Sequence, residues 1–178
     1  MAEAKAIRMT DITMGTPFGR ARDWLSSRMH KGYKSECPLC GQDVQIYRRT
    51  ISASMARGLI AVYNAGPVGT PVCFPEIRPQ KEAADDAKLA YWGLIEKVDV
   101  ERQDGNRGGW WALTESGSEF VRGSITVPHF AVVYNKTLLY LEGEQKTIQD
   151  CLGKGFRLDR LMDESGRPYI NLIREETS

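Results

Sequence analysis

DDAKLAYWGLIEKVDVERQDGNRGGWWALTESGSEFVRG, residues Asp85–Gly123, is the stretch of this chain that says most about its fold. Helix propensity begins near Lys81 and predicts a helix that extends to about Lys97. Gly93 lies within this range, and glycine is a residue type that ends helices. Leu94-Ile95 follows as an apolar pair suited to a core. The stretch therefore opens with a helix that ends beside buried residues.

The second half of the stretch predicts a turn, a strand and another helix. Asp104-Gly105-Asn106 is rich in turn formers, and Trp110–Leu113 has the composition of a strand. Thr114 is a good N-cap, and Phe120 and Val121 would pack inward from the helix that it starts. The adjacent Trp110 and Trp111 point to opposite faces of a strand, so one is expected in the core and one partly exposed.

This order resembles the end of MarR-type winged-helix domains. In that family the recognition helix ends in Leu-x-x-x-Gly-Leu-Ile-x-Lys/Arg, the wing tip reads Asp-x-x-Arg, and the next helix opens with Leu-Thr-x-x-Gly. The matching residues are Leu89, Gly93, Leu94, Ile95, Lys97, Asp104, Arg107, Leu113, Thr114 and Gly117. The resemblance covers about residues 50–123 and implies a winged-helix core that contacts duplex DNA.

Two features depart from that family. A full module has two helices between the first helix and the wing, and the Pro-rich segment 66–80 leaves little room for one of them beside a short edge strand near Val72–Phe74. The helix from Lys81 also opens with acidic residues where phosphates would lie. The expected nucleic-acid contacts are Lys88, Tyr91, Arg102 and Arg107, with support from Arg48, Arg49 and Arg57.

Charge is unevenly distributed along the 178 residues, whose net charge is +1. Residues 1–60 contain ten Lys and Arg against five acids, and the remainder is net negative. A basic first third would supply phosphate contacts if it formed one face, and is otherwise ordinary solvated charge. No apolar stretch is long enough to span a membrane and the N-terminus lacks a secretory h-region, which favours a cytoplasmic setting.

Four cysteines include one CPLC pair, Cys37 and Cys40, whose spacing is typical of a knuckle that holds a metal ion. A structural Zn²⁺ needs four ligands, and Cys73 and His30 are the expected third and fourth. Cys151 fits a core position better, and His129 a surface or packed one. A redox pair and two plain thiols are the alternatives for CPLC.

The rest of the chain predicts short elements around this core. Helices are expected from Thr16-Pro17 to about His30, from Thr50 or Ser52 to about Asn64, and from Thr147 to Gly153. Val44–Tyr47 alternates like a short strand, and a hairpin with a turn at 134–137 follows Val127. The residues FRLDRLM and PYINLI predict a further helical turn and an edge strand.

We therefore expect an α+β fold in three parts. Residues 1–49 hold a helix and the zinc knuckle, 50–125 the winged-helix-like domain, and 126–178 a β-hairpin with short helices. The order of these motifs resembles small, uncharacterised bacteriophage-encoded zinc-knuckle proteins, which implies a phage origin.

The expected function is DNA binding, as a transcriptional or host-takeover regulator. The alternative is a protein-binding adaptor or inhibitor of a host machine that uses the scaffold without DNA contact. No catalytic motif stands out, so no enzyme is expected. The hairpin can either pack on the domain or extend a sheet in a homodimer.

Overall fold

A computed structural model of the protein describes residues 12–13, 15–30, 34–38, 40–77, 85–99 and 109–154. The chain divides into two compact units. The first unit comprises residues 1–48 and 132–139, and the second comprises residues 49–131 and 140–178. Both helices and small antiparallel sheets are present, so the expected α+β class is confirmed. No helix within the described ranges is long and apolar enough to cross a bilayer.

The first unit begins with a helix and a small hairpin. Helix α1 spans Phe18–His30 and buries Ala21, Trp24 and Met29, which lie on one helical face. Strands β1 (Ser35–Glu36) and β2 (Asp43–Val44) pair antiparallel, with Ser35 opposite Val44. The Arg28 guanidinium lies over the Trp24 ring at 5.4 Å and donates a 3.1 Å hydrogen bond to Ser35, so α1 is tied to β1.

The second unit is built around one buried helix. Helix α2 begins after Ser52, whose hydroxyl accepts the Met55 N–H at 3.2 Å, and it ends before Gly66. It packs against α3, α4, α5, the 3₁₀ helix and β6. Strand β3 (Tyr47–Arg49) precedes this helix in the chain. The next elements in chain order are α2 (Ala53–Ala65), β4 (Val72–Cys73), α3 (Phe74–Ile77), a 3₁₀ helix (Asp86–Trp92), β5 (Ile95–Val98), β6 (Trp110–Leu113) and α4 (Glu115–Val121).

A long hairpin and a short helix complete the described chain. Strands β7 (Val127–Tyr134) and β8 (Thr137–Lys146) form a three-stranded sheet with β3, in the order β3-β7-β8. The turn residues Asn135 and Lys136 have φ of 47° and 63°, as a two-residue hairpin turn requires. Helix α5 (Ile148–Leu152) starts with a capping box in which Thr147 and Asp150 satisfy each other's N–H groups.

Fully buried side chains from these elements form the core of the second unit. Burying each large apolar side chain contributes roughly 1.5–3 kcal/mol. The Trp92 indole N–H donates to the Pro128 carbonyl at 2.7 Å, so its one polar group is satisfied. The core includes Leu59, Ile60, Leu89, Leu94, Ile95, Leu113, Phe120, Val121, Ile148 and Leu152.

Two expected elements differ from the structure. The strand over Val44–Tyr47 is wrong, because β2 ends at Val44 and β3 begins at Tyr47, in a different sheet. The expected extent of the next helix to Lys97 is also wrong, whereas Gly93 ends that helix as its residue type predicts. It is 3₁₀ over Asp86–Trp92 and stops at Gly93, and Ile95–Val98 is a strand. Gly93 ends the helix early because it takes the left-handed conformation, with φ of 68°.

Candidate functional site

A set of close contacts joins the end of the 3₁₀ helix to the start of α4. The Gly93 N–H donates to the Ala90 carbonyl at 3.1 Å. The Thr114 hydroxyl donates to the Gly93 carbonyl at 2.6 Å and accepts the Gly117 N–H at 2.9 Å. The Thr114 N–H donates to the Leu94 carbonyl at 3.2 Å. The two sequence patterns Gly-Leu-Ile and Leu-Thr-x-x-Gly are therefore the two sides of one contact.

Gly117 allows this contact because it has no side chain. A Cβ atom on Gly117 would lie 2.1 Å from the Leu94 carbonyl oxygen and 2.8 Å from the Leu113 Cδ1. Neither distance is compatible with packed atoms, and the carbonyl belongs to the backbone. The helix α4 therefore sits against the start of β5 at a distance that only glycine permits.

The sheet formed by β4, β6 and β5 places two tryptophans on opposite faces. Its order is β4-β6-β5, and both pairings are antiparallel. In register, Trp111 lies between Val72 and Lys97, while Trp110 lies between Cys73 and Val98. Both tryptophans are half-buried, so the expectation of one core and one partly exposed ring is wrong.

The surface of the 3₁₀ helix offers little positive charge. The Lys88 ammonium forms an ion pair with the Asp85 carboxylate three residues earlier. Asp86 is only 2% exposed, and Tyr91 is half-buried. Among the described residues of this helix, Lys88 is the one basic side chain. Its charge is already balanced before any ligand arrives.

The other expected nucleic-acid contacts are scattered. Arg57 is only 9% exposed, so it is not displayed to a phosphate. The expected contact of Arg57 with DNA is therefore not supported, because Arg57 lies in the buried part of α2. Arg48 is exposed and Arg49 half-buried, both in β3. Arg102 and Arg107 lie outside the described residues.

Lys97 is a residue that the contact set omitted. It is exposed on β5, directly opposite Trp111 on β6. Because Lys97 was expected at the end of a helix, its position in the sheet opposite Trp111 was not predicted.

Cys37 and Cys40 lie in the connection between β1 and β2. The Cys37 N–H donates to the Gln42 carbonyl at 2.8 Å, and the Gly41 N–H donates back to the Cys37 carbonyl at 2.9 Å. Gly41 takes φ of 69°, which favours glycine. Cys40 is exposed and Cys37 half-buried. Lys34 and Asp43 form an ion pair at 2.7 Å beside the turn. The hydrogen bond to Asp43 and its negative charge raise the pKa of Lys34.

The four expected metal ligands do not form a cluster in the described part of the chain. No group of three or more His, Cys, Asp and Glu residues that could hold a metal ion occurs there. His30 is exposed at the end of α1, and Cys73 is 4% exposed in β4. Cys73 lies opposite Trp110, within the region where a short edge strand was expected.

The remaining cysteine and histidine occupy apolar surroundings. Burial raises the pKa of the Cys151 thiol to about 11, with a smaller contribution from the Asp150 carboxylate. The thiolate form, which binds metals and attacks electrophiles, is therefore disfavoured there. The His129 ring stacks on Phe130 with 4.0 Å between ring centroids.

Comparison with known proteins gives no match: no protein-family model, no curated protein and no solved structure is significantly similar to this chain.

Proposed function

We propose that the second unit is a winged-helix-like domain that binds duplex DNA through the connection between β5 and β6. The supporting observation is the sheet order β4-β6-β5, in which the first and last strands of the segment pair with each other. A winged helix has a helix, a strand, two helices and then two strands that flank the wing. Here α2, β4, α3, the 3₁₀ helix, β5 and β6 follow in that order.

The short helix α3 fits within the Pro-rich segment 66–80, where little room for a second helix was expected. It spans only Phe74–Ile77, and it begins at the residue after β4. Four residues are enough for one turn, so the Pro-rich segment holds both an edge strand and a helical turn. This arrangement supports a compact variant of the winged helix.

The connection is a better candidate for DNA contact than the helix. A seven-residue 3₁₀ helix rises about 2 Å per residue, which gives roughly 14 Å, and its only lysine is paired with Asp85. Lys97 is exposed at the base of the connection, and Arg102 and Arg107 belong to the connection by sequence. A basic side chain at such a tip can bind phosphate or enter a minor groove.

The biological role that fits this reading is regulation of transcription by a protein of phage origin, or takeover of a host process. Its support is the sequence resemblance together with the arrangement of the second unit.

Binding to a random duplex at several salt concentrations tests the proposal. We expect fluorescence anisotropy to show binding that weakens linearly on a log–log plot, by a slope of about −0.9 per phosphate contact. The double variant Arg102→Ala/Arg107→Ala should reduce the magnitude of this slope by about 2, and Lys97→Ala by about 1.

Lys154→Ala, which removes an exposed lysine after α5, is the charge-matched control and should leave the slope unchanged. Circular dichroism would establish that each variant is folded. Absence of binding at low salt, or an unchanged slope in the double variant, would contradict the proposal.

A protein-binding adaptor or inhibitor of a host machine is the second candidate. It is favoured by the exposure of two adjacent large apolar side chains on β8, Leu139 at 43% and Tyr140 at 47%. Aromatic side chains such as Tyr140 are enriched where proteins dock. A pull-down from nuclease-treated bacterial lysate should then retain a partner with the wild-type chain and lose it with Leu139→Ser/Tyr140→Ser. A partner that disappears with nuclease alone would favour DNA instead.

A further inference from the structure

The turn between β1 and β2 contains two cysteines, of which Cys40 is exposed and Cys37 half-buried. Cys37 and Cys40 belong to a turn in which the Cys37 N–H donates to the Gln42 carbonyl and the Gly41 N–H donates to the Cys37 carbonyl. Two cysteines at this spacing supply half of a tetrahedral zinc site, since structural zinc takes four Cys or His ligands. Cys40 is exposed, so this half-site is accessible from solvent.

The chain contains few residues that could complete the site by itself. All four cysteines and both histidines lie within the described residues, and these form no group of three potential ligands. Cys73 is buried, and Cys151 has a pKa of about 11 because of its burial. His129 is stacked on Phe130. His30 belongs to the same unit as the turn but is not grouped with it.

We propose that two copies of this chain share one zinc ion, each copy contributing Cys37 and Cys40. A twofold axis through the ion would make the two half-sites equivalent and give four thiolate ligands. Binding releases one proton from each of the four thiols, and the resulting Zn(S-Cys)₄ centre carries a charge of 2−, because four thiolates surround one Zn²⁺. Zinc would thus act as the link of a homodimer, in place of a ligand set that includes Cys73 and His30.

Three charged side chains lie beside the turn: Lys34, Glu36 and Asp43. Lys34 lies at the base of the hairpin and is exposed, as is its ion-pair partner Asp43. Glu36 precedes Cys37, and its carboxylate oxygen would lie 3.3 Å from a Cβ atom on Gly41. Glycine at position 41 therefore keeps the turn both left-handed and clear of that carboxylate.

Titration of the metal-free, reduced full-length chain with Zn²⁺ alone tests the proposal. We expect one zinc per two chains, and light scattering should show a dimer that forms with zinc and reverts to monomer with a chelator. Cobalt in place of zinc should give the visible spectrum of a tetrahedral tetrathiolate site. Keeping a phosphine reductant present throughout prevents an intermolecular disulfide from producing the same dimer.

Variants separate a shared site from a site within one chain. Cys37→Ser and Cys40→Ser should each abolish the cobalt spectrum and the zinc-dependent dimer. His30→Gln and Cys151→Ala are the controls and should leave both unchanged, and so should Cys73→Ala if it folds. One zinc per monomer, loss of binding in His30→Gln, a dimer that persists in Cys37→Ser, or no zinc binding at all would overturn the proposal. None of these outcomes alters the DNA-binding test, which uses other residues.

Discussion

One side-chain oxygen atom, that of Thr114, connects two segments of the second unit. The Thr114 hydroxyl makes two hydrogen bonds in opposite senses, donating to Gly93 and accepting from Gly117. Each partner is a glycine for a different reason. Gly93 is needed for its left-handed backbone, and Gly117 for the space beside the Leu94 carbonyl. Thr114, Gly93 and Gly117 occur together because the Thr114 hydroxyl bonds to both glycines.

Substitution of Gly117 by alanine should destabilise the protein by about 1–3 kcal/mol or more, because the added methyl group overlaps the Leu94 backbone. Urea unfolding measures this as a lower midpoint at an unchanged slope. Ser116→Ala, one residue earlier on the exposed side of α4, is the control and should shift stability by no more than about 0.5 kcal/mol. Equal midpoints for the two variants would contradict the close approach of α4 to β5.

At the scale of elements, local signals in the sequence predicted the starts of three helices and the position of one turn. The N-caps Ser52, Thr114 and Thr147 all start helices where expected, because a capping side chain bonds to N–H groups only two or three residues away. The turn at Asn135 and Lys136 was predictable for the same reason.

Long-range choices were less predictable. Whether Val44–Tyr47 is one strand or parts of two depends on partners far away in sequence, and β3 pairs in a sheet with β7. The type of the helix before Gly93 was also invisible, since 3₁₀ and α patterns differ little over seven residues. For the candidate site, the sequence located the cysteine turn but gave no indication of which further ligands lie near it.

Helix α5 should contribute a pH-dependent part of stability through Asp150. Hydrogen bonds from the Thr147 backbone N–H, then from its hydroxyl, lower the pKa of Asp150. A lowered folded-state pKa means that this stability is present above the unfolded value of about 4 and is lost as pH falls through the folded value.

We therefore expect the stability difference between the wild type and Asp150→Asn to be constant near neutral pH and to vanish in acid. Urea unfolding at a series of pH values measures it, and Glu96→Gln, an exposed carboxylate on β5, is the control. A difference that persists unchanged below pH of about 2 would show that the carboxylate charge is not the cause.

At the scale of the whole molecule, the two units carry different chemistry. The cysteine turn lies in the first unit, and the elements of the proposed winged-helix-like domain lie in the second. The positive balance of residues 1–60 belongs mainly to the first unit, while the remaining residues are net negative. A DNA-binding role for the second unit therefore depends on a few well-placed side chains and not on overall charge.

The four cysteines should react at very different rates in the native, metal-free protein. Cys40 and Cys37 should be alkylated first by iodoacetamide, because Cys40 is exposed and Cys37 half-buried. Cys73 is buried, and the raised pKa of Cys151 lowers its thiolate fraction roughly a hundredfold. Peptide mass spectrometry of timed samples gives the order, with urea-unfolded protein as the control in which all four react. Native Cys73 reacting as fast as Cys40 would contradict its placement in β4.

The division into units also affects how the chain is made. The first unit consists of residues 1–48 and 132–139, so its last part is synthesised only after residues 49–131 have left the ribosome. Domains generally fold as units while synthesis proceeds. The first unit is therefore complete only after residues 132–139 have been made, which follow residues 49–131 of the second unit. During that interval Cys37 and Cys40 belong to a unit whose last residues have not yet been made.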